Sequence, residues 1–572
     1  MSGRFTTSQL VIALLIAAFL LVFLVVPVLT VLYVAFADGA GGFTVSHFVS
    51  FFHISLMRES FWNSLYVAFW SVVFASLIAV PLAYFTVRFE FRGAALIQTL
   101  GVLPLIMPPF VGAVAMQLIF GRSGTVNLLL NDWFGFTLPI MDGLNGVVFV
   151  EAIHYFPFIL MNLVVALNNI DSSMEESALN LGASGLRLFR RIVFPLAMPG
   201  FVAGAALVFI KVFDDLGTPL VLNQTNMLAP QAYLRITTIG IEDPIGYVAS
   251  VIMVAASLFA LWASTWVMRG KEYSTLQRGY GGLSKRRLSS AQSVFAYGWI
   301  LLMLLIVLAP HVGILLLSIA KVWSFSVVPD SYTPEHYVTV FQDSPRMIWN
   351  TVLYCGIAAL LDVVIATAIA YILLRTRLPG RQALDFTVTM ALAIPGVVLA
   401  IGYLRTFRDI EIPFTDELLT TSWILLIIAY AVRRLPYALR SCIAALQQMH
   451  VSLEEAAENL GATKGRTIRR IVVPLMAGGI AAGFIISFMT AAVELSATLM
   501  LITAQHDAPM SYGIYLYMQS AAGRGPGAAL GVLAVLLVAA GTYASHRLIA
   551  GRSAREARPR VEQAREIQTM GA

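Results

Sequence analysis

Twelve apolar stretches, most of them long enough to cross a bilayer as a helix, account for most of this 572-residue chain. A hydrocarbon core of about 30 Å needs roughly 20 apolar residues in a helix. In the first half the stretches are Leu10–Phe36, Phe61–Val87, Leu96–Phe120, Gly146–Leu167, Gly200–Phe213 and Tyr247–Met268. In the second half they are Val294–Ala320, Trp349–Leu374, Leu384–Phe407, Ser422–Leu446, Ala477–Val493 and Gly527–Ile549. The Gly200 and Ala477 stretches are short, and Gly and Pro recur in several, as a membrane bundle tolerates. The first is too long for the core of a signal peptide and has no small-residue cleavage site, so it reads as a retained span. The expected fold is an all-α integral membrane protein of about twelve transmembrane helices.

Composition agrees. Only 12% of residues are charged and 59% are hydrophobic, against about 25% and 45–50% in soluble domains. So little charge cannot clothe several soluble cores, which argues against a soluble enzyme, a disordered chain or a nucleic-acid binder. Two distant cysteines, Cys355 and Cys442, indicate neither a disulfide framework nor a metal cluster. With a cytoplasmic N-terminus, the inner segments carry 25 Lys and Arg and the outer ones 8. That bias predicts both termini inside.

The chain repeats itself. Glu175–Leu196 and Glu454–Leu475, offset by 279 residues, are identical at fourteen of twenty-two positions. Pro157 pairs with Pro436 and Asp215 with Glu494 at the same offset, while Trp62-Asn63 pairs with Trp349-Asn350 at an offset of 287. The first half thus holds eight extra residues, placed in the predicted outer loop Gly121–Asn145. Six spans per half give both halves the same polarity, a parallel repeat about an axis along the membrane normal. The expected division is 1–270 and 293–550 as six-span halves, 271–292 as a basic cytoplasmic linker, and 551–572 as a basic cytoplasmic tail.

The duplicated segment lies inside, between the fourth and fifth spans of each half. Glu175-Glu176 and Glu454-Glu455 suit the first turn of a helix, where unpaired N–H groups favour negative charge. Asp171-Ser172 and Ser452 are the expected caps. Gly182 and Gly461 permit the left-handed turn that ends each helix. A second segment with Arg190-Arg191 or Arg469-Arg470 leads to Pro195 or Pro474 and the next span. The product is a helix–turn–helix elbow, made twice. One acidic, glycine-containing loop would read as a solvated connection; two with matched spacing do not. The paired arginines are explained by lipid phosphates at the inner face.

The spacing E-x-A-x-x-x-G, nine residues, then I-x-x-P resembles the EAA loop of permease subunits of binding-protein-dependent (type I) ABC importers. It is carried by Glu176, Ala178, Gly182, Ile192 and Pro195, and again by Glu455, Ala457, Gly461, Ile471 and Pro474. Ser177, Phe194 and Val473 depart from the usual residues. The resemblance spans both halves, and the fused arrangement is similar to ferric-iron permeases and to permeases assigned to 2-aminoethylphosphonate. It implies a MetI-like permease architecture in a bacterial inner membrane. It also implies coupling of each elbow (Glu175, Glu176, Ala178, Gly182 and Pro195; Glu454, Glu455, Ala457, Gly461 and Pro474) to one of two copies of a cytoplasmic ATPase. An extracytoplasmic solute-binding protein completes the set. ATP and Mg are expected in the partner, with no cofactor, metal or catalytic residue in this chain.

The chain has no G-x-x-x-x-G-K-[ST], so it cannot hydrolyse ATP through the usual phosphate loop. Concentrating a solute a thousandfold takes about 4 kcal/mol, which a partner ATPase or an ion gradient must supply. Glu151, His154, Lys211 and Asp362 are the intramembrane residues that an ion-coupled secondary transporter of two six-span halves, the alternative class, would use. None recurs at a matching position. A membrane-embedded enzyme is weaker, because no hydrolase or zinc motif is present. Asp215 and Glu494, in the related segments Asp214–Leu222 and Val493–Leu501, are expected near the outer face, where they shape the path, the binding-protein contact, or only a turn. Arg433, Arg434 and Arg440 are placed in or near span ends. The substrate expected is a small polar nutrient, 2-aminoethylphosphonate-like ahead of ferric iron because Ser496 replaces the proline of E-L-P-A-T.

Overall fold

Apolar runs without a breaker become single helices here, and prolines decide where the others bend. The computed structural model describes residues 7–39, 41–268, 285, 287–520, 522–541 and 543. Residues 271–284 and 286 of the linker, and the whole of the tail, therefore lie outside the described residues.

The first half contains α1 (Thr7–Phe36), α2 (Ser55–Arg88), α3 (Ala94–Ile106), α4 (Pro109–Phe120), α5 (Gly143–Asn168), α6 (Ser172–Asn180), α7 (Gly185–Asp214), α8 (Gly217–Val221) and α9 (Pro244–Met268). The second half repeats the order: α10 (Ser290–Ile319), α11 (Pro345–Arg375), α12 (Arg381–Ala393), α13 (Gly396–Thr406), α14 (Trp423–Gln447), α15 (Ser452–Asn459), α16 (Lys464–Leu475), α17 (Ala477–Ala492), α18 (Ser496–Leu501) and α19 (Arg524–Gly541). Nine of the described helices are long and apolar enough to cross a membrane, or eleven when α12–α13 and α16–α17 each count as one span; with α14 added and α3 joined to α4, described helices fall in each of the twelve predicted stretches, the last of them described only to residue 541 and at 543. The described strands form one small antiparallel pair, Ala320–Val322 with Ser331–Tyr332.

The third span of each half breaks at matched prolines. Met107-Pro108 and Ile394-Pro395 are extended, and the helix restarts at Pro109 or Gly396. A residue before proline is pushed out of the helical region, and proline itself fits the first turn of the next helix. In the second half the two pieces bend by 109°. The fifth spans differ from expectation. α7 is one 30-residue helix that includes the second arm of the elbow, so Pro195 sits inside a continuous path and does not end it. Its counterpart bends by 68° at Met476. The outer loop Gly121–Asn145 is not bare, since it holds the helix Thr125–Phe134.

The two halves of the sequence interlock. Helix α1 packs on α13 and α10 packs on α4, so each first span lies against the opposite half. Ala13, Ile16 and Leu20 share a core cluster with Ala366, Leu439 and Met476 of the second half. Tyr403 donates to the Phe23 carbonyl at 2.6 Å, and Thr406 to Thr30 at 3.0 Å. Gly402 lets the Pro27 backbone approach so closely that a Cβ would fall 2.7 Å from its carbonyl oxygen. Gly313 meets Ala115 in the related contact, with 3.0 Å from a built Cβ to the alanine methyl. Small residues at crossings are how membrane helices gain contact when lipid offers no hydrophobic drive between them. At the end away from the duplicated elbows, Asn63 donates to the Asn226 carbonyl at 2.9 Å, and its repeat Asn350 to those of His506 and Ala508 at 2.9 and 3.1 Å. The repeated Trp-Asn pairs thus mark where each second span anchors the segment after the fifth.

Candidate functional site: paired elbows and a midplane charge cluster

Each elbow is clamped to its own second span. Helix α6 begins at Asp171, whose carboxylate accepts from the Ser173 N–H at 2.9 Å. The structure corrects the cap of α15. Ser452 lies inside the helix, and the ring of His450, at the position matching Asp171, faces the Ser452 N–H at 3.3 Å. Each short helix ends at a left-handed glycine, Gly182 at φ +82° and Gly461 at φ +86°. The N–H of Ala183 then returns to the Ala178 carbonyl, and that of Ala462 to Ala457, at 2.9 and 3.0 Å. This closes the orphan carbonyls of the helix end. A one-turn π segment follows at matched positions, Phe189–Val193 and Ile468–Val472, and the chain enters the fifth span.

Glu175 and Glu454 are buried, whereas Glu176 and Glu455 are exposed. Arg88, the last residue of α2, meets Glu175 at 2.8 Å, and its repeat Arg375 meets Glu454 at 2.7 Å. Arg375 also donates to the carbonyls of Leu446 and Met449 at the end of α14, and Tyr371 reaches Glu454 at 3.3 Å. The buried glutamates therefore hold the elbow to the membrane helices in addition to lying in the first turns. Sequence reasoning counted Arg88 and Arg375 only as positive-inside charges. The signal was present as Ala83-Tyr84 with Arg88, repeated at an offset of 287 as Ala370-Tyr371 with Arg375. Ala178 and Ala457 are buried under the elbow, Pro195 lies within the continuous α7, and Pro474 lies one residue before the end of α16. Leu181 and Leu460, at matched positions, stand 88% and 90% exposed. An apolar tip on an otherwise polar projection is the composition of a protein contact.

A second constellation lies at mid-membrane, and it corrects the expected depth of Asp215 and Glu494. Arg433 is eleventh in the 25-residue α14, about 15 Å from its end at 1.5 Å per residue, so Arg433 and Arg434 are not span-end residues. Arg433 pairs with Glu494 at 2.8 Å and with Asp214 of the first half at 2.5 Å. Asp214 also accepts the Gly396 N–H at 2.6 Å, at the start of α13. Glu494 caps α18 through the N–H groups of Ala497 and Thr498. Asp215 caps α8 in the same way through Gly217 and Thr218, at 3.1 and 3.2 Å, and it lies beside the buried Glu151 of α5. Lys211 forms no ion pair with Asp214 or Asp215 among the described residues; Asp214 is taken by Arg433. Glu151, at the place matching Tyr430, and Asp362 are both fully buried without hydrogen-bond partners.

Two polytopic halves, each with a clamped elbow at the same place, are what the family comparison recognises. The description "Binding-protein-dependent transport system inner membrane component" fits residues 72–273 and again 362–555. The chain belongs to this family. It is a multi-pass permease component of an ABC importer of the inner membrane, and the ion-coupled alternative falls away. Both matched segments begin within the second helices of their halves, so the crossed α1 and α10 stand outside them. The chain is 27% identical over 519 residues to the ferric transport system permease protein of Actinobacillus pleuropneumoniae, covering 88% of this chain and 74% of that one. It is 30% identical over 211 residues to the molybdenum transport system permease protein of Escherichia coli, covering 36% of this chain and 91% of that one. A Salmonella choleraesuis permease provisionally assigned to 2-aminoethylphosphonate is 30% identical over 161 residues, 28% of this chain and 56% of that one. Components of this family work with an ATPase and a solute-binding protein.

Proposed function

We propose that the chain forms the whole translocation path of its importer, with one elbow for each of two ATPase subunits. The observation that carries this is the pair of identical clamps, Arg88–Glu175 and Arg375–Glu454, beneath the two exposed leucines Leu181 and Leu460. A partner that moves an elbow moves the second span through a short buried ion pair, and the fifth span through the helix that follows, continuous in the first half and bent by 68° in the second. ATP and Mg belong to the partner, both termini face the cytoplasm, and residues 1–270 and 293–550 form the two sequence halves joined by 271–292. ATP-driven closure draws the elbows together and turns the path outward; hydrolysis returns it. Glu175, Glu176, Ala178, Gly182 and Pro195, with Glu454, Glu455, Ala457, Gly461 and Pro474, make the coupling surfaces. Asp215 and Glu494 shape the path by capping the short helices α8 and α18. The solute is a small charged nutrient of the 2-aminoethylphosphonate or ferric-iron kind delivered by a binding protein. The relatives' names support both kinds.

The test is the double variant Leu181→Glu with Leu460→Glu in proteoliposomes carrying the chain, its ATPase and its binding protein. Both side chains lie in solvent, so insertion and thermal stability stay unchanged while solute-stimulated ATP hydrolysis is lost. Full stimulation in the double variant refutes the coupling role.

A further inference from the structure

Of the buried cations at mid-membrane, Arg433 is saturated and Arg434 is not. Arg434 is 6% exposed, its Nε has no hydrogen-bond partner, and it forms no ion pair among the described residues. Neighbouring acids do not fill its fork. Asp214 and Glu494 are taken by Arg433 and by backbone N–H groups. Asp362 lies in electrostatic reach of Arg434 but forms neither an ion pair nor a hydrogen bond among the described residues, and the Ser487 hydroxyl donates to the Arg434 carbonyl at 3.4 Å. A guanidinium stays charged at every physiological pH and offers five donors in a rigid fork. Leaving its buried Nε without a partner in a membrane-spanning helix is costly and marks a functional site by default.

Two more donors face the same region from both halves. Lys211, on α7 of the first half, is half-buried, has no ion pair among the described residues, and approaches the hydroxyl of Tyr437 on α14. Tyr437 in turn lies in the field of Lys211, Arg434 and Arg433. The site is singular although the fold is duplicated: Tyr155 stands where Arg434 would repeat, Phe158 where Tyr437 would, and Thr490 where Lys211 would. Residues that serve only the packing of the repeat have no reason to differ so completely. One solute on the axis between two halves needs one such site.

We propose that Arg434, Lys211 and Tyr437 form a transient binding site for a small tetrahedral oxyanion, such as a phosphonate group, at the junction of the halves. This rests on the importer reading and narrows its substrate to an anion. Two N–H groups of the arginine fork fit two oxygens of a tetrahedral anion, the ammonium adds a point charge, and the phenol donates to a third oxygen. Because Lys211 comes from one half and the other two from the second, rocking of the halves assembles and disperses the site.

The test uses the full chain in phospholipid nanodiscs, without partners, titrated calorimetrically with 2-aminoethylphosphonate, with molybdate and with lanthanum chloride as a hard trivalent cation. The oxyanions bind, and Arg434→Gln weakens them about tenfold or more, as loss of a charged hydrogen-bonding partner does. Arg434→Lys weakens them less, Lys211→Gln and Tyr437→Phe each weaken them measurably, and Arg440→Gln, an exposed residue of the same helix, leaves them unchanged. Should Arg434→Gln fail to insert, Lys211→Gln and Tyr437→Phe decide alone. Binding of lanthanum without the oxyanions, no binding of any probe, or oxyanion binding indifferent to these variants overturns the proposal. None of those results touches the elbows, whose coupling is read separately by ATP hydrolysis.

Discussion

Replacing Arg375 by methionine isolates what the clamp contributes. Its guanidinium holds Glu454 at 2.7 Å and caps two carbonyls, Leu446 at 3.1 Å and Met449 at 2.8 Å, with side-chain exposures of 11% for the arginine and 9% for the glutamate. Methionine keeps the stem and removes every donor. Glu454 then retains only Tyr371 at 3.3 Å, and a buried carboxylate without its cation costs about 3–5 kcal/mol. The loss falls on the elbow, because helix α15 has few other buried side chains beyond Ala457. Local opening becomes easier by that amount, or roughly two to four orders of magnitude in hydrogen exchange. Exchange measured by mass spectrometry on peptides covering 450–463 reads this directly, and the equivalent peptides over 171–184 serve as an internal control. The double variant Arg375→Met with Glu454→Leu recovers most of the protection, since removing both partners leaves no charge stranded. Exchange in Arg375→Met within twofold of the parent, or a double variant as loose as the single, refutes the clamp.

Other perturbations read the remaining parts. His450→Ala removes the group facing the start of α15 and costs about 1 kcal/mol of local stability, as cap losses do; exchange of the Ser452 amide checks it, and Asp171→Ala matches it in the first half. Gly182→Val and Gly461→Val meet open space, so their penalty is backbone strain alone, at least about 1–2 kcal/mol each in the left-handed region; uncoupled ATP hydrolysis with normal insertion is the expected outcome. Gly402→Leu drives a side chain into the Pro27 backbone, costs about 1–3 kcal/mol by overpacking, and lowers the thermal midpoint of the chain in detergent.

How much of this was legible depended on whether an interaction is repeated. Spans, the parallel duplication and the elbows were readable because each is written twice at a constant offset, and a coincidence does not recur over fourteen of twenty-two positions. The clamps are also written twice, but Arg88 and Arg375 already had a sufficient explanation in the positive-inside rule, and that explanation hid the second one. The broken third spans were concealed because Pro108 and Pro395 lie inside runs apolar enough for a single helix, and hydropathy does not see a bend. Within the midplane cluster only Asp215 and Glu494 repeat; its arginines have no counterpart at the offset. Its ion pair joins residues 219 apart, Asp214 to Arg433, across two halves, and no pattern along the sequence announces that contact. Duplication sets the scaffold, whereas the asymmetric residues placed on it, Arg433 for His154 and Arg434 for Tyr155, are where a duplicated chain can acquire a preference for one solute. Offsets find the machinery that must act in pairs, and the failures of the offset point to the part that acts once.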